Sequence, residues 1–460
     1  MGPLIAHAAP VSYRFPLPIW IYVIGAGAAV LASAPAAALA VRSDRRRPWR
    51  SRDIYPALHR FRLGPLLLGL CTLVFLWSLG GALIGTGTQA AEFFENPLTV
   101  VVWIDLWVGL GLVSFLLGNF WDFVSPLNAA ARLLDRALAR RAVTPFAYPA
   151  RLGRWPAVAL LLVWSWSELI WASAKEPHTL AGLVLAYVVL TLVGCALFGA
   201  EAWLGNVELF TVFARTFARF SPTELEPPGP DEWLARPPEE RRVRLRPYGA
   251  GLRTDGPLQA GGAAFVLALL ATVVFDGFSQ TNRYAIVQGW FIDRSSWFGA
   301  HDGTLDTLLM LAIVTVFVLA FQVVCALTGD GVAAAARRYA PTLIPIAAVY
   351  FAAHYWTYLV VYGQTTLGVL VDPLGRSWNP GGLGEYTVWK GIPAALIWWS
   401  QVVLIVWGHV AGVFAAHRVA LEHHGSPASA LRAQIPLIAL MVAYTMAGLW
   451  VLAQQIKVGA

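Results

Sequence analysis

Ten apolar runs of about 20 residues recur from one end of this chain to the other, at about 17–41, 64–84, 98–118, 155–173, 179–203, 259–279, 305–327, 341–361, 391–416 and 435–454. A run of that length crosses a hydrocarbon core of ~30 Å as a helix, because lipid gives the backbone no hydrogen-bond partner and a helix satisfies its own. The fold class that follows is an all-α polytopic membrane protein of about ten transmembrane helices. Residues 1–460 form a single transmembrane helical domain with no soluble domain. Composition agrees, with 58% hydrophobic and 13% charged residues.

The loops orient the runs. Placing the segments 42–62, 132–154, 215–253, 337–338 and 418–432 on one side collects 26 of the 33 basic residues there. Such an excess marks the cytoplasmic side, so both termini are expected outside the cytoplasm, in a bacterial cytoplasmic (inner) membrane. The formal charge of +7 is then a consequence of topology, and nucleic acid need not be invoked as a partner. The first 14 residues lack a basic stretch followed by a short apolar core, so the first span is expected to do the targeting. Cys71, Cys195 and Cys325 all lie in apolar runs and read as small buried side chains.

Two inner segments read as short amphipathic surface helices. In 124–141, Leu127, Ala131, Leu134 and Leu138 make one face while Arg132, Arg136 and Arg140 repeat every four residues, placed to meet anionic lipids at the inner surface. After Gly205-Asn206, Val207, Phe210 and Phe217 alternate with Arg215 and Arg219 in the same way. The one long polar stretch, 221–258, is rich in proline, glycine and mixed charge, and reads as a cytoplasmic loop without a packed core.

Polar residues inside apolar runs mark the interior. Within 390–424, Trp398, Gln401, Ile405, His409, Gly412 and Ala416 fall on one stripe at 100° per residue, and an amide or imidazole there should face protein. Asp105, Glu168 and His354 lie within the outer halves of three other runs and Asp276 at the outer end of a fourth, compatible with one outward-facing polar pocket among tryptophans and tyrosines. Asn119, Glu201, Glu208, Asp330, His409 and His417 form a second, inward set. The outer segment AHDGTLD, with His301, Asp302 and Asp306, has metal-ligand residue types but equally suits a helix N-terminal turn. Walker, dinucleotide, paired CxxC, CxxCH, HExxH and GxSxG motifs are missing from the chain.

The segments FDGFS (275–279), TGDGVAAAARRYAPTLIPIAAVYFAAHYW (328–356), WGHVAGVFAAHRVAL (407–421), QIPLIALMVAYTMAGLWVLAQ (434–454) and NPLTVVVWIDLWVGLGLVSFLLGNFWDFVSP (96–126) resemble multi-pass bacterial membrane proteins usually described as fenitrothion hydrolase. The resemblance spans most of the chain and implies a membrane-bound hydrolase of organophosphate triesters. It assigns no residue a role, and at Ser125-Pro126-Leu127 the chain departs from the family's NPW-like turn. Under that implication His354 or His409 would serve as general base or metal ligand, with Asp105 and Glu168 as further catalytic candidates. A divalent metal is the cofactor such a site would take, held by His354, Asp105 and Asp276. Two other readings stand beside it: a proton- or cation-coupled transporter, and a membrane subunit of a redox or assembly complex with partner subunits.

Overall fold

A computed structural model describes residues 18–41, 51–85, 96–141, 145–301, 303–329, 331–385 and 392–453. The protein is 79% helical, and nine helices among the described residues are long and apolar enough to cross a membrane. In chain order its main helices are α1 (Ile19–Ala40), α2 (Leu63–Ile84), α3 (Pro97–Leu116), α4 (Pro126–Arg140), α5 (Trp155–Leu169), α6 (Pro177–Phe198), α7 (Leu209–Ala218), α8 (Gly262–Ser279), α9 (Thr304–Leu327), α10 (Val332–Val371), α11 (Ala394–His424) and α12 (Pro427–Leu452). All but α4, α5 and α7 belong to the nine. The expected fourth span appears as α5, only 15 residues long, or ~22 Å at 1.5 Å per residue. A 3-10 turn at Ala172–Lys175 extends it before α6 begins.

The centre of the bundle is α10. From Ala340 to Tyr355 every residue is buried, against neighbours on α8, α11, α12 and the C-terminal half of α3. Hydropathy and burial run in opposite directions: α9 and α2 are among the most apolar helices and the least buried, whereas α10 is the least apolar and the most buried. Lipid selects helices that are apolar all round, while a helix surrounded by protein is free to carry Thr342, Tyr350, His354 and Tyr355. On α2, Leu66, Leu70, Leu73 and Leu76 are exposed where acyl chains would cover them.

The stripe on α11 faces protein as expected. Trp398, Ile405, His409 and Ala416 are buried, and Gln401 donates through Nε2 to the Ala353 carbonyl of α10 at 2.8 Å. The closest approach is at Gly408, where a Cβ would stand 2.1 Å from Val349 Cγ2 and 2.9 Å from the Pro345 carbonyl oxygen. At Gly412 it would meet Ile346 at 3.0 Å. Val402 and Val406, which the stripe places opposite, are half-buried against the core, because α1 and α12 cover further faces of α11. Lipid instead meets Leu396, Val403 and Trp407.

The basic, polar end departs most from the sequence reading. α7 is no surface helix: every residue from Leu209 to Ala218 except Arg215 is buried, since α3, α5 and α10 pack around it. On α4, Arg132 is turned away from lipid and bonds Asp231 at 2.7 Å and the Asp122 carbonyl at 2.5 Å. The 221–258 segment is folded, with β1 (Thr223–Glu226) antiparallel to β2 (Arg242–Leu245) and a small core of Tyr55, Trp233 and Val243. Ile54, Leu58 and Phe123 complete that core, so three separate segments build what none holds alone. At its edge Asp122 is fully buried and accepts from Nε and Nη2 of Arg215 at 2.8 Å each, from Asn119 Nδ2 at 2.5 Å, and from Arg132.

Two outcomes follow from this packing. Leucine at Gly408 or Gly412 is expected to cost ~1–3 kcal/mol by overpacking, read as earlier thermal unfolding in detergent, with Gly25→Leu as an unaffected control because nothing lies within 4 Å of it. Burial works against the Asp122 charge, yet Arg215 first and then Arg132 and Asn119 hold its carboxyl below the usual range. A carboxylate so depressed contributes stability that is complete above the unfolded value of ~3.9 and is lost only as pH falls through the lower folded value. Asp122→Asn, which leaves two arginines facing a neutral amide, is expected to destabilise by ~3–5 kcal/mol, equally at pH 5 and pH 8. A difference that shrinks between those two pH values would contradict the assignment.

Candidate functional site

Three of the expected outer-pocket residues meet, and they meet on α10. His354 Nε2 lies 2.8 Å from Asp276 Oδ2 on α8, both side chains buried. One residue on, the Tyr355 hydroxyl donates to Glu168 Oε1 of α5 at 3.3 Å. Successive helical residues diverge by 100°, which is how His354 and Tyr355 reach carboxylates on two different helices packed side by side. Asp276 and Glu168 act on one another electrostatically, Lys175 from the 3-10 turn acts on both, and Asp276 is within hydrogen-bonding reach of Tyr355 as well.

Local sequence explains the placement. Asp276 sits in the last turn of α8, where Gln280 Nε2 approaches its second oxygen at 3.5 Å. The next residue, Gly277, lets the His354 ring come close: a Cβ there would lie 3.4 Å from His354 Cε1. Around the group stands an aromatic wall. Trp107 packs on Trp164, Phe213 and Phe351 with centroids 5.7, 5.0 and 5.3 Å away, and Trp103 packs on Trp164 at 4.5 Å. The Trp107 indole nitrogen is buried and makes no hydrogen bond among the described residues. With Glu168 3% and Asp276 0% exposed, water is largely excluded, and Coulomb interactions inside the wall are stronger than in water.

The other expected members lie elsewhere. Asp105 is half-buried and accepts from Thr366 Oγ1 at 3.1 and 3.0 Å. Trp103 and Trp107, each two residues from it, stand on the opposite face of the helix, since two steps of 100° make 200°, and they pack on Trp164. The expected metal set of His354, Asp105 and Asp276 is therefore not assembled. Among the described residues, no three His, Cys, Asp or Glu side chains are arranged to hold a metal ion. The residues present do not fit a divalent cofactor at this point, and no step is routed through one.

His409 stands apart from the carboxylates. Its Nδ1 lies 2.8 Å from the Ile405 carbonyl of its own helix, and its Nε2 has no partner among the described residues. It lines a void of about 10 Å³, roughly one water, with Tyr350, whose hydroxyl is also without a partner among them. His417 is tied by Nδ1 to Gln434 at 2.8 Å and lies 3.3 Å from the Val41 carbonyl. Glu208 caps α7, accepting from the Phe210 and Thr211 amides and from Tyr187. In AHDGTLD, Asp306 in the first turn of α9 accepts from Tyr284 at 2.5 Å and Gln288 at 2.6 Å, while exposed His301 stacks on Trp297. Asp302 and Asp330 lie outside the described residues.

Tyr355 and Lys175 are the members that sequence reading missed. Tyr355 gave a usable signal, a tyrosine adjoining a histidine inside an apolar run. Comparison with protein-family models, curated proteins and solved structures returns no match. The geometry alone therefore defines what the site can do. Two carboxyls, an imidazole, a phenol and an ammonium in one low-dielectric space change charge together, since each charge alters its neighbours. The group's bonds tie α5, α8 and α10.

Proposed function

We propose that this protein is a proton-coupled membrane carrier in which Glu168, Asp276 and His354 take up and release protons while α5, α8 and α10 shift against one another. One observation carries the reading: the His354–Asp276 and Tyr355–Glu168 contacts, each between helices, lie next to each other in a water-poor interior. An ionisable group there is costly to bury, and a carrier is a setting in which that cost serves a purpose. Protonation weakens or strengthens such an interhelical bond and so changes which helix arrangement is favoured.

The phosphotriester hydrolase implied by the resemblance is the second reading, and the same pair favours it. A histidine oriented by a buried carboxylate is a general base in the form that activates water. Its substrate would need an entry to a group only 7% exposed at His354 and 3% at Glu168. For the carrier, protons need only a narrow hydrogen-bonded route.

We further place the chain in a bacterial cytoplasmic membrane with both termini outside the cytoplasm, counting α5 as a tenth crossing. The 26-to-7 division of basic residues supports this, and so does the turn at Lys175, which brings α5 back into α6.

Proteoliposomes carrying a trapped pH indicator test the carrier. Wild type should dissipate an imposed pH gradient, and Asp276→Asn or Glu168→Gln should lower that rate by ~100-fold or more, the scale on which loss of a positioned proton carrier is felt. His409→Phe should keep it, because that imidazole is off the cluster. If wild type leaks no faster than empty vesicles yet cleaves p-nitrophenyl phosphotriesters, the hydrolase reading replaces this one. For topology, a reporter fused after Ala460 should be active only when it requires the periplasm; cytoplasmic activity would overturn the ten-crossing arrangement.

A further inference from the structure

At the opposite end of α5 from Glu168, a cavity of about 540 Å³ opens between α4, α5, α6 and the short helix Ala200–Asn206. Its walls include Arg154, Arg215, Asn206, Asp135, Glu201 and Gln259. Arg154, the residue that precedes α5, is only 8% exposed. Its side chain makes one contact with a neutral group, Nη1 to Thr216 Oγ1 at 3.3 Å, and its Nε has no partner among the described residues. Burial pushes its pKa down, and Arg219 and Arg215 add to that as nearby positive charges; no carboxylate is among the charges acting on it. An arginine stays protonated all the same, so this is a buried cation facing a roomy cavity without a counter-ion.

The neighbouring cation does not share the same need. Arg215 gives its Nε and Nη2 to Asp122, and Gly205 leaves room for its Nη1, since a Cβ there would lie 3.0 Å from that nitrogen. Two acids, Asp135 and Glu201, line the cavity as well. Asp135 is held by the Ala200 amide at 2.8 Å, and Glu201 is exposed. The cavity thus carries a cation, Arg154, and two acids, Asp135 and Glu201, on its walls.

We infer that this cavity binds a zwitterionic aminoalkyl phosphate, its phosphate on Arg154 and its ammonium toward Asp135 and Glu201. A guanidinium whose one contact is with a neutral hydroxyl keeps N–H donors for the charge-assisted bonds that phosphate takes. A volume in the range of small-ligand sites admits more than a bare ion. The acids on the same cavity call for a ligand that carries a cationic group as well as an anionic one. The same chemistry occurs as a phospholipid headgroup and as a free aminoalkyl phosphate. The inference goes beyond the carrier reading, and its test measures binding alone.

Purified full-length protein in phosphate-free detergent is titrated calorimetrically with O-phosphoethanolamine, inorganic phosphate and glycine. Saturable binding of O-phosphoethanolamine is expected, ~10-fold or more tighter than that of phosphate or glycine, the scale of one added charge-assisted contact. Arg154→Gln should abolish it. Should that variant fail to fold, Glu201→Gln, an exposed change, is expected to weaken O-phosphoethanolamine by a similar factor while leaving phosphate unaltered. Native mass spectrometry from nanodiscs of mixed phosphatidylethanolamine and phosphatidylglycerol then separates the sources. Retention of one phosphatidylethanolamine by wild type and not by Arg154→Gln assigns the headgroup; binding of the soluble compound with no lipid retained assigns the free phosphate. The inference is overturned if wild type binds none of these saturably, if phosphate or glycine binds as tightly as O-phosphoethanolamine, or if Arg154→Gln binds as wild type does.

Discussion

A carboxylate inside a lipid-embedded bundle must be answered by a group on another helix, because no solvent is there to do it. In this protein Asp276 of α8 is answered by His354 of α10, and Glu168 of α5 by Tyr355, so one two-residue stretch of α10 holds together two neighbouring helices. The rest of the bundle is arranged to allow that. α11 closes on α10 through glycines, α3 lays its tryptophans against Trp164 and Phe351, and the most apolar helices are left to face lipid. Polar function at the centre and apolar sequence at the rim are two consequences of one constraint.

What could be read from the residues depended on whether the signal was local and regularly wound. The α11 stripe was legible because Gln401, Ile405, His409, Gly412 and Ala416 repeat at helical spacing in an otherwise apolar run, and the helix is uninterrupted from Ala394 to His424. The tightest contact, Gly408, lay one residue off the stripe and gave no such cue. Depth along a span placed Glu168, Asp276 and His354 at one level correctly. Depth says nothing of rotation, however, and Asp105 shares the level while facing Thr366. Trp103 and Trp107 flank Asp105 in sequence, but two steps of 100° put them on the opposite face, where they pack on Trp164.

The polar end was hidden for a different reason. β1, β2 and Trp233 hold too few apolar residues to form a core, and they succeed only with Tyr55, Ile54, Leu58 and Phe123 from distant parts of the chain. No window of sequence contains that core. Similarly, α4 and α7 carry arginines at the spacing of surface helices, but the buried Asp122 draws Arg132 and Arg215 inward, and a buried anion with two arginine partners is a tertiary fact.

α5 connects the two polar regions. Arg154 precedes it and Glu168 occupies its penultimate position, 14 residues or ~21 Å along the axis. It packs lengthwise on α8, which carries Asp276, and its amide and carbonyl ladder makes it stiff over that distance. A rod this short has few ways to respond to a change at one end. If the cavity at Arg154 gains an anion, the restoring force on that guanidinium changes, and any axial slip or tilt of α5 that follows is carried to the Glu168–Tyr355 bond. Coupling of this kind requires two discrete arrangements of the helix, each favoured by a different set of contacts. The 3.3 Å Tyr355–Glu168 bond, longer than the 2.7–2.8 Å typical of a hydroxyl donor, is the contact a small movement of α5 would shorten or break, while the 2.8 Å His354–Asp276 bond stays within α8 and α10. The helix that links the two regions is thus held at its acidic end by the weaker of the two bonds.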